Sequence, residues 1–174
     1  MEIPPLYPAL DALNAHSHAE AVADFRQCCG ATTWAEAMAA GRPYDGPHFV
    51  HLLADTVLDR LAREDWLEAF AAHPRIGKRH ADAASDNPTE WSEQEQAGMA
   101  DANASVRDRL AAGNEEYFER FGYIFLICAT GRTAEEMLAA LEKRLQHEPD
   151  LELGVASAQQ RLITHLRLDK LLAP

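Results

Sequence analysis

Apolar side chains recur at helical spacing along most of the chain. In residues 47–63 four of them repeat every four positions: Phe49, Leu53, Val57 and Leu61. This spacing places them on one face of a helix, so the pattern predicts an amphipathic helix that buries this face. Pro47 suits the first turn of that helix, where the N–H that proline lacks is not needed.

Capping residues indicate where several helices begin. Ser17 is predicted to cap the helix that follows it. The sequences TWAE, SEQE and TAEE have the form of a capping box and predict helix starts at Thr33, Ser92 and Thr133. The long helix that SEQE opens is predicted to run through Ala112, and Gly113 predicts a break or kink before NEEYFERFG.

Helical spacing is lost in two stretches, around residues 73–78 and 122–128, where we expect short extended connections. The second stretch contains YIFLIC, the only strand-like run in the chain, which could equally be a buried extended segment or a helix turn. Pro149 is suited to begin the last helix. The whole pattern predicts an all-α fold, a single-domain helical bundle of about seven to nine helices over residues 1–174.

Composition and charge narrow the class of function. The chain has 174 residues, enough for one domain, and its 47% of hydrophobic residues predicts that it folds. With 28 acidic against 16 basic residues, the formal charge of −12 disfavours nucleic acid as a partner. An anionic ligand would need local arginines for the same reason.

No segment of the sequence predicts membrane attachment or secretion. No apolar run reaches the roughly 18 residues of a membrane helix, and the N-terminus lacks the pattern of a signal peptide. The three cysteines, Cys28, Cys29 and Cys128, form neither a disulfide framework nor a zinc motif. We therefore expect no membrane partner and a cytoplasmic location.

His73 is the first candidate for chemistry. Because it precedes Pro74, its backbone is pushed out of the α region, so the helix formed by EDWLEAFAA should end at or just before it. The helix dipole favours the charged imidazolium at this end, and histidine is suited to act as a general acid at neutral pH. The structural alternative for a lone histidine is that its ring caps a free carbonyl of its own helix.

Glu95 and Arg167 are further candidates, and each has a structural alternative. Glu95 is the last residue of SEQE, where a glutamate normally bonds the cap N–H, although it could face a ligand at a helix N-terminus. Arg167 stands among leucines, which is typical of an exposed arginine on a helix surface. The other histidines show no HExxH spacing, so we expect no metal site. Spacing and composition alone predict no particular reaction.

Five motifs follow one another along nearly the whole chain: FRQCCGATTWAEAM with RPY, HPRIG, SEQEQAG, YFERFGYIFLICATGR and LITHLRLDKL. Together, and in this order, they resemble the 2-oxo-4-hydroxy-4-carboxy-5-ureidoimidazoline (OHCU) decarboxylase family of urate degradation. Any one of them alone would be a weak signal.

The resemblance implies a set of site residues. His73 aligns with the family's catalytic proton donor, Glu95 with its essential glutamate, and Arg167 with an arginine that engages the substrate. Substrate contacts are implied for the following residues: Pro74, Ser92, Glu93, Gln94, Glu95, Gln96, Phe125, Leu126, Ile127, Cys128 and Ala129. The last five are implied to contact the substrate largely through their backbone.

The resemblance also implies an activity and partners. The expected enzyme is a carboxy-lyase of purine metabolism that converts OHCU, a small anionic ureide, to S-allantoin and CO2 without a metal or organic cofactor. A homodimer is expected, and an association with the hydroxyisourate hydrolase that precedes it in the pathway is an open expectation. Two alternatives stay open: a non-enzymatic acidic helical module that binds a partner protein, and a metal-dependent hydrolase acting on the upstream ureide.

Overall fold

The structure is a computed structural model, and it describes residues 6–74 and 104–173. Within these ranges the chain forms eight helices and no strand. The helices are α1 (Pro8–Ala15), α2 (His18–Cys28), α3 (Thr32–Ala40), α4 (Pro47–Leu58), α5 (Arg63–Ala71), α6 (Ala104–Phe121), α7 (Ala134–Arg144) and α8 (Pro149–Leu171). The all-α prediction is confirmed. Of the helices in the described ranges, none combines the length and apolar character needed to cross a bilayer.

The chain divides into two compact units. One contains Met1–Ala69 together with Arg161–Pro174, and the other contains Phe70–Gln160. In the first unit α2 packs against α3 and α3 against α4, and in the second α6 packs against α7. That residues 1–174 form a single domain stays a prediction.

Aromatic side chains form the core of the first unit. Phe25 and Trp34 are fully buried and meet edge to face, with ring centroids 5.9 Å apart. The Trp34 indole N–H donates to the carbonyl of Ala54 at 3.3 Å, which joins α3 to α4. The Tyr44 hydroxyl donates to the Met38 carbonyl at 2.6 Å, so this buried ring also has its polar atom satisfied.

Two of the predicted helix caps are confirmed. Ser17 caps α2, with a reciprocal capping box between Ser17 and Glu20. Thr133 caps α7 in the same way, with Glu136 as its partner. The box predicted at Ser92 lies outside the described residues. In both confirmed cases the partners are three positions apart, so the sequence alone contains the complete signal.

The capping box predicted at Thr33 is wrong. Helix α3 begins at Thr32, and no side-chain bond from its own N-cap residue is present. Glu68 of α5 takes that place, since its carboxylate accepts from the Thr32 N–H at 2.9 Å and from the Thr32 hydroxyl at 2.5 Å. The Thr33 hydroxyl donates to Asp65 of the same helix at 2.7 Å. Carboxylates from a neighbouring helix therefore cap α3.

The buried face of α4 differs from the predicted one by a single position. The predicted face contained Phe49, which is half exposed at 50%, while the buried residues of α4 are Val50, Ala54 and Leu58. The bond from Trp34 to the Ala54 carbonyl turns this neighbouring face toward α3. The helix also ends at Leu58, before the last apolar residue of the predicted stripe.

The break predicted at Gly113 is wrong, because α6 continues through it from Ala104 to Phe121. A β-carbon placed on Gly113 would lie 2.7 Å from Cδ2 of Leu141 in α7. Because glycine has no β-carbon, Gly113 allows α6 and α7 to approach closely, and the helix does not break there. Helix α1 is not among the predicted elements. Helix α1 is short, and its N-cap residue Tyr7 makes no side-chain cap bond, so no capping signal precedes it in the sequence.

The bond between Glu68 and α3 predicts a pH-dependent contribution to stability. The bonds from the Thr32 side chain and N–H lower the pKa of Glu68 below its ordinary value of 4.5. A carboxyl whose pKa is lower in the folded state stabilises the fold above its ordinary pKa and loses this effect as the pH falls through the folded pKa. We expect Glu68→Gln to reduce the fall in melting temperature between about pH 5 and about pH 3.

Thermal unfolding followed by circular dichroism across that pH range would test this expectation. Glu64→Gln, at an exposed position of the same helix α5, is the matched control and should behave as the parent does. An identical acid loss in Glu68→Gln and in the parent would show that this cap contributes nothing.

Candidate active site

His73 lies just past the end of α5, as predicted from the proline that follows it. The helix ends at Ala71, and the His73 N–H donates to the Phe70 carbonyl at 3.2 Å. The imidazole is buried, with 9% of the residue exposed. Its Nε2 lies 2.8 Å from Oε1 of Gln160 in α8, so this contact links the end of α5 to α8. Pro74 is half-buried beside it.

The second predicted group lies outside the described residues. It comprises Ser92, Glu93, Gln94, Glu95 and Gln96, all within residues 75–103. The role implied for Glu95 therefore stays a prediction.

The segment that connects α6 to α7 is neither helical nor paired as a strand over residues 122–129. Phe125, Leu126, Ile127 and Ala129 are buried there, and Cys128 is half-buried. The Leu126 carbonyl accepts from Nη1 of Arg144 at 2.7 Å. The Cys128 N–H donates to Oε1 of Gln159 at 3.0 Å. Side chains of α7 and α8 therefore fix the backbone of this segment.

Two adjacent glutamines of α8 hold two of the predicted site segments. Gln160 contacts the His73 ring and Gln159 contacts the Cys128 backbone. Since these glutamines are consecutive, His73 and Cys128 meet the same turn of α8.

Sequence reasoning missed both glutamines, although α8 has a signal that could have revealed Gln160. Four of its buried residues recur every four positions, and three of them are polar: Glu152, Ala156, Gln160 and Thr164. Polar side chains repeated on a helix face that should be apolar indicate a buried polar site.

A buried ionic cluster lies beside the segment. Glu152 is fully buried and accepts from Nε of Arg144 at 2.7 Å and from the Tyr117 hydroxyl. Nδ1 of His147 lies 2.7 Å from the other carboxylate oxygen. The Arg144 guanidinium also lies over the Phe125 ring, 4.6 Å from its centroid. Burial, with the bond to Glu152, raises the pKa of Tyr117. The cluster thus anchors the segment through Arg144.

Arg167 belongs to the first unit, where it is buried with 7% of the residue exposed. The interpretation as an exposed surface arginine is therefore wrong. Its Nη1 donates to the Gln27 carbonyl at 3.1 Å, and its charge acts on the neighbouring thiols Cys28 and Cys29. Burial outweighs that charge and raises the pKa of Cys29 to about 11, so this thiol is neutral at physiological pH. The role of Arg167 as a substrate anchor stays a prediction.

A second histidine cluster occurs in the first unit. Nδ1 of His51 and Nδ1 of His165 are 2.7 Å apart, while their Nε2 atoms lie 3.1 Å from Asp169 and 2.9 Å from Asp55 respectively. Arg161 also pairs with Asp55, at 2.6 Å. Within the described ranges, no group of three or more such side chains is arranged to hold a metal ion.

Fold and site together define an all-α protein with a buried histidine held in a polar candidate active site. A sequence model of the OHCU decarboxylase family matches residues 14–169. The chain belongs to the OHCU decarboxylase family.

Individual relatives agree with this assignment. The chain is 37% identical to the uric acid degradation bifunctional protein TTL of Arabidopsis thaliana over 85% of its own length, and it spans only 46% of that relative. It is 30% identical to the 2-oxo-4-hydroxy-4-carboxy-5-ureidoimidazoline decarboxylase of Amia calva over 79% of each chain. The crystal structure of an OHCU decarboxylase in the presence of (S)-allantoin superimposes with a TM-score of 0.76 at 35% identity, covering 87% of this chain and 98% of the other.

Proposed function

We propose that this chain is a cofactor-independent decarboxylase that converts OHCU to S-allantoin and CO2 in urate degradation. The observation that carries the proposal is the buried His73, held by α8 on the same turn that holds the segment around Cys128. The membership of the chain in the OHCU decarboxylase family supports the choice of substrate.

The proposed reaction needs one proton and no external electron acceptor. The bond between the carboxylate and its ring carbon breaks, CO2 leaves, and the electron pair passes into the adjacent C–N system of the ring. A proton then adds to one face of the ring and gives a single enantiomer. His73, as imidazolium, supplies this proton. General acid catalysis by one histidine contributes ~10²–10⁴-fold, which corresponds to ~3–5 kcal/mol of the barrier.

Glu95 and Arg167 complete the proposed catalytic set. Glu95 would hold the His73 ring or the substrate hydroxyl in position. Arg167 would bind a substrate oxygen or carboxylate with the two-pronged geometry that a lysine lacks. Orientation of the substrate and a water-poor pocket, which disfavours a carboxylate more than neutral CO2, would supply the rest of the rate.

The segment 125–129 is proposed to bind the ureido and ring carbonyls through its backbone. In an extended chain, successive residues direct their N–H groups to opposite edges. The edge of Leu126 and Cys128 is already bonded to Arg144 and Gln159. No hydrogen-bond partner in the described part of the chain reaches the N–H groups of Phe125, Ile127 and Ala129. We therefore assign substrate binding to the edge formed by the N–H groups of Phe125, Ile127 and Ala129. Pro74, which lies beside His73, is proposed as a further substrate contact.

Assembly and location are proposed on narrower grounds. The relatives named as bifunctional uric acid degradation proteins, from Arabidopsis thaliana and Bacillus subtilis, support a pathway association with the hydrolase activity upstream. Two apolar side chains on α4, Phe49 and Leu52, are 50% and 55% exposed, and a homodimer would cover such a patch. A cytoplasmic location accords with the three cysteines, none of which is in a disulfide.

A coupled assay tests the proposed activity. Urate oxidase and hydroxyisourate hydrolase generate the unstable substrate from urate, and circular dichroism follows the appearance of allantoin. We expect this chain to accelerate the formation of the S enantiomer in proportion to its concentration. Racemic allantoin at the rate of the reaction without the chain would refute the proposal and favour the non-enzymatic alternative. Metal analysis of the active protein separately tests the metal-dependent hydrolase.

A further inference from the structure

We propose that Gln160 is a positioning residue that keeps a proton on Nε2 of His73, so that Nδ1 is the ring atom that exchanges its proton. This inference rests on the proposed function and deepens it, because it names the atom that delivers the proton and the residue that selects it.

The contact between the two side chains is short and shielded from water. Oε1 of Gln160 lies 2.8 Å from Nε2 of His73, with 0% and 9% of the two residues exposed. An amide oxygen only accepts hydrogen bonds, so Nε2 carries a proton while this bond exists. The ring atom that gains or loses a proton is then Nδ1.

The acid role itself selects this orientation of the amide. If the amide were reversed, its NH2 group would face Nε2, and the ring would have to accept there. An imidazolium has N–H groups on both nitrogens, so a reversed amide would oppose the charged form that donates the proton. With Oε1 facing the ring, the same hydrogen bond persists in both charge states.

A neutral partner also suits a group that must release its proton. A carboxylate at this position, in addition to the proposed Glu95, would stabilise the imidazolium further and oppose proton release. The Gln160 amide fixes the plane and the tautomer of the ring without adding a charge. Its neighbour Gln159 fixes the Cys128 N–H at 3.0 Å from the same helix turn. One rigid element thus aligns the acid with the segment proposed to bind substrate.

Nuclear magnetic resonance of the ring nitrogens tests the tautomer without any turnover. In protein with ¹⁵N-labelled histidine, the His73 signals are assigned by their loss in His73→Ala. Above the titration of the ring, we expect the neutral form to be protonated on Nε2. Gln160→Met, which keeps the length of the side chain but removes the acceptor, should lose this preference, and Gln160→Glu should retain it. A neutral wild-type ring protonated on Nδ1 would overturn the proposal.

Steady-state kinetics tests the consequence for catalysis. We expect Gln160→Met to lower kcat by about 10- to 100-fold with little change in KM, because the ring is no longer held in the orientation and tautomer that donate the proton. Gln146→Met, at an exposed position just after α7, is the matched control and should retain the parent kcat. An unchanged kcat in Gln160→Met would refute the positioning role.

The two proposals fail in different ways. A wild-type protein that shows the Nε2-protonated tautomer but no turnover of OHCU would refute the decarboxylase and support the assignment of the ring proton. Stereospecific turnover together with the opposite tautomer would do the reverse.

Discussion

Replacing His73 with alanine is expected to lower the rate of S-allantoin formation by about 10²–10⁴-fold, the usual contribution of one general acid. The helices should persist, because His73 lies beyond the last residue of α5. Removing it leaves the buried Gln160 amide short of one partner, which costs about 1–3 kcal/mol of stability. The residual rate would come from orientation and from the shielded pocket.

The coupled assay with circular dichroism measures this effect, and thermal unfolding reports separately on the fold. The matched control is His48→Ala, which removes an exposed histidine from α4 and should leave the rate unchanged. S-allantoin produced by His73→Ala at the parent rate would contradict the acid role. A lower rate with loss of enantiomeric purity would support it, since a proton taken from water can reach either face of the ring.

The largest loss of stability is expected from Glu152→Ala. Glu152 is 0% exposed and Arg144 is 5% exposed, and their side chains meet at 2.7 Å. Removing the carboxylate leaves the arginine charge buried without its partner, and breaking such a pair costs ~3–5 kcal/mol. The bonds to Tyr117 and His147 are lost at the same time.

Unfolding by urea, followed by circular dichroism, measures the change in the free energy of unfolding. The chain offers a matched control in Glu142→Ala, which breaks the exposed ion pair between Arg109 and Glu142. Their side chains are 59% and 50% exposed, and such surface pairs contribute only ~0–1 kcal/mol. Equal losses in the two variants would show that the buried cluster has no special part in stability.

Local signals explain which parts of the fold could be predicted. Ser17 and Thr133 were identifiable as caps because their partners lie three residues further along the chain. The cap of α3 could not be found in this way, since Glu68 is 36 positions from Thr32. Gly113 illustrates the same limit, because its meaning depends on Leu141 in another helix.

The same difference between local and distant signals applies to the residues of the candidate site. His73 could be identified from the sequence because the proline that follows it ends α5. The polar spacing on α8 could indicate that Gln160 is buried but not what it does, because this amide acquires its role only from a ring 87 positions away. The residues alone predicted no reaction. The order of five motifs indicated the family, and the family match over residues 14–169 confirms that assignment.

The three cysteines differ in a way that makes the chain convenient for spectroscopy. Cys28 and Cys29 are fully enclosed and burial raises the pKa of both thiols, whereas Cys128 is half-buried. A maleimide dye, which reacts with accessible thiolates, would therefore attach to the native chain at Cys128 without removal of the other two. The label would stand in the loop assigned to ureide recognition, where its fluorescence could follow ligand arrival in real time.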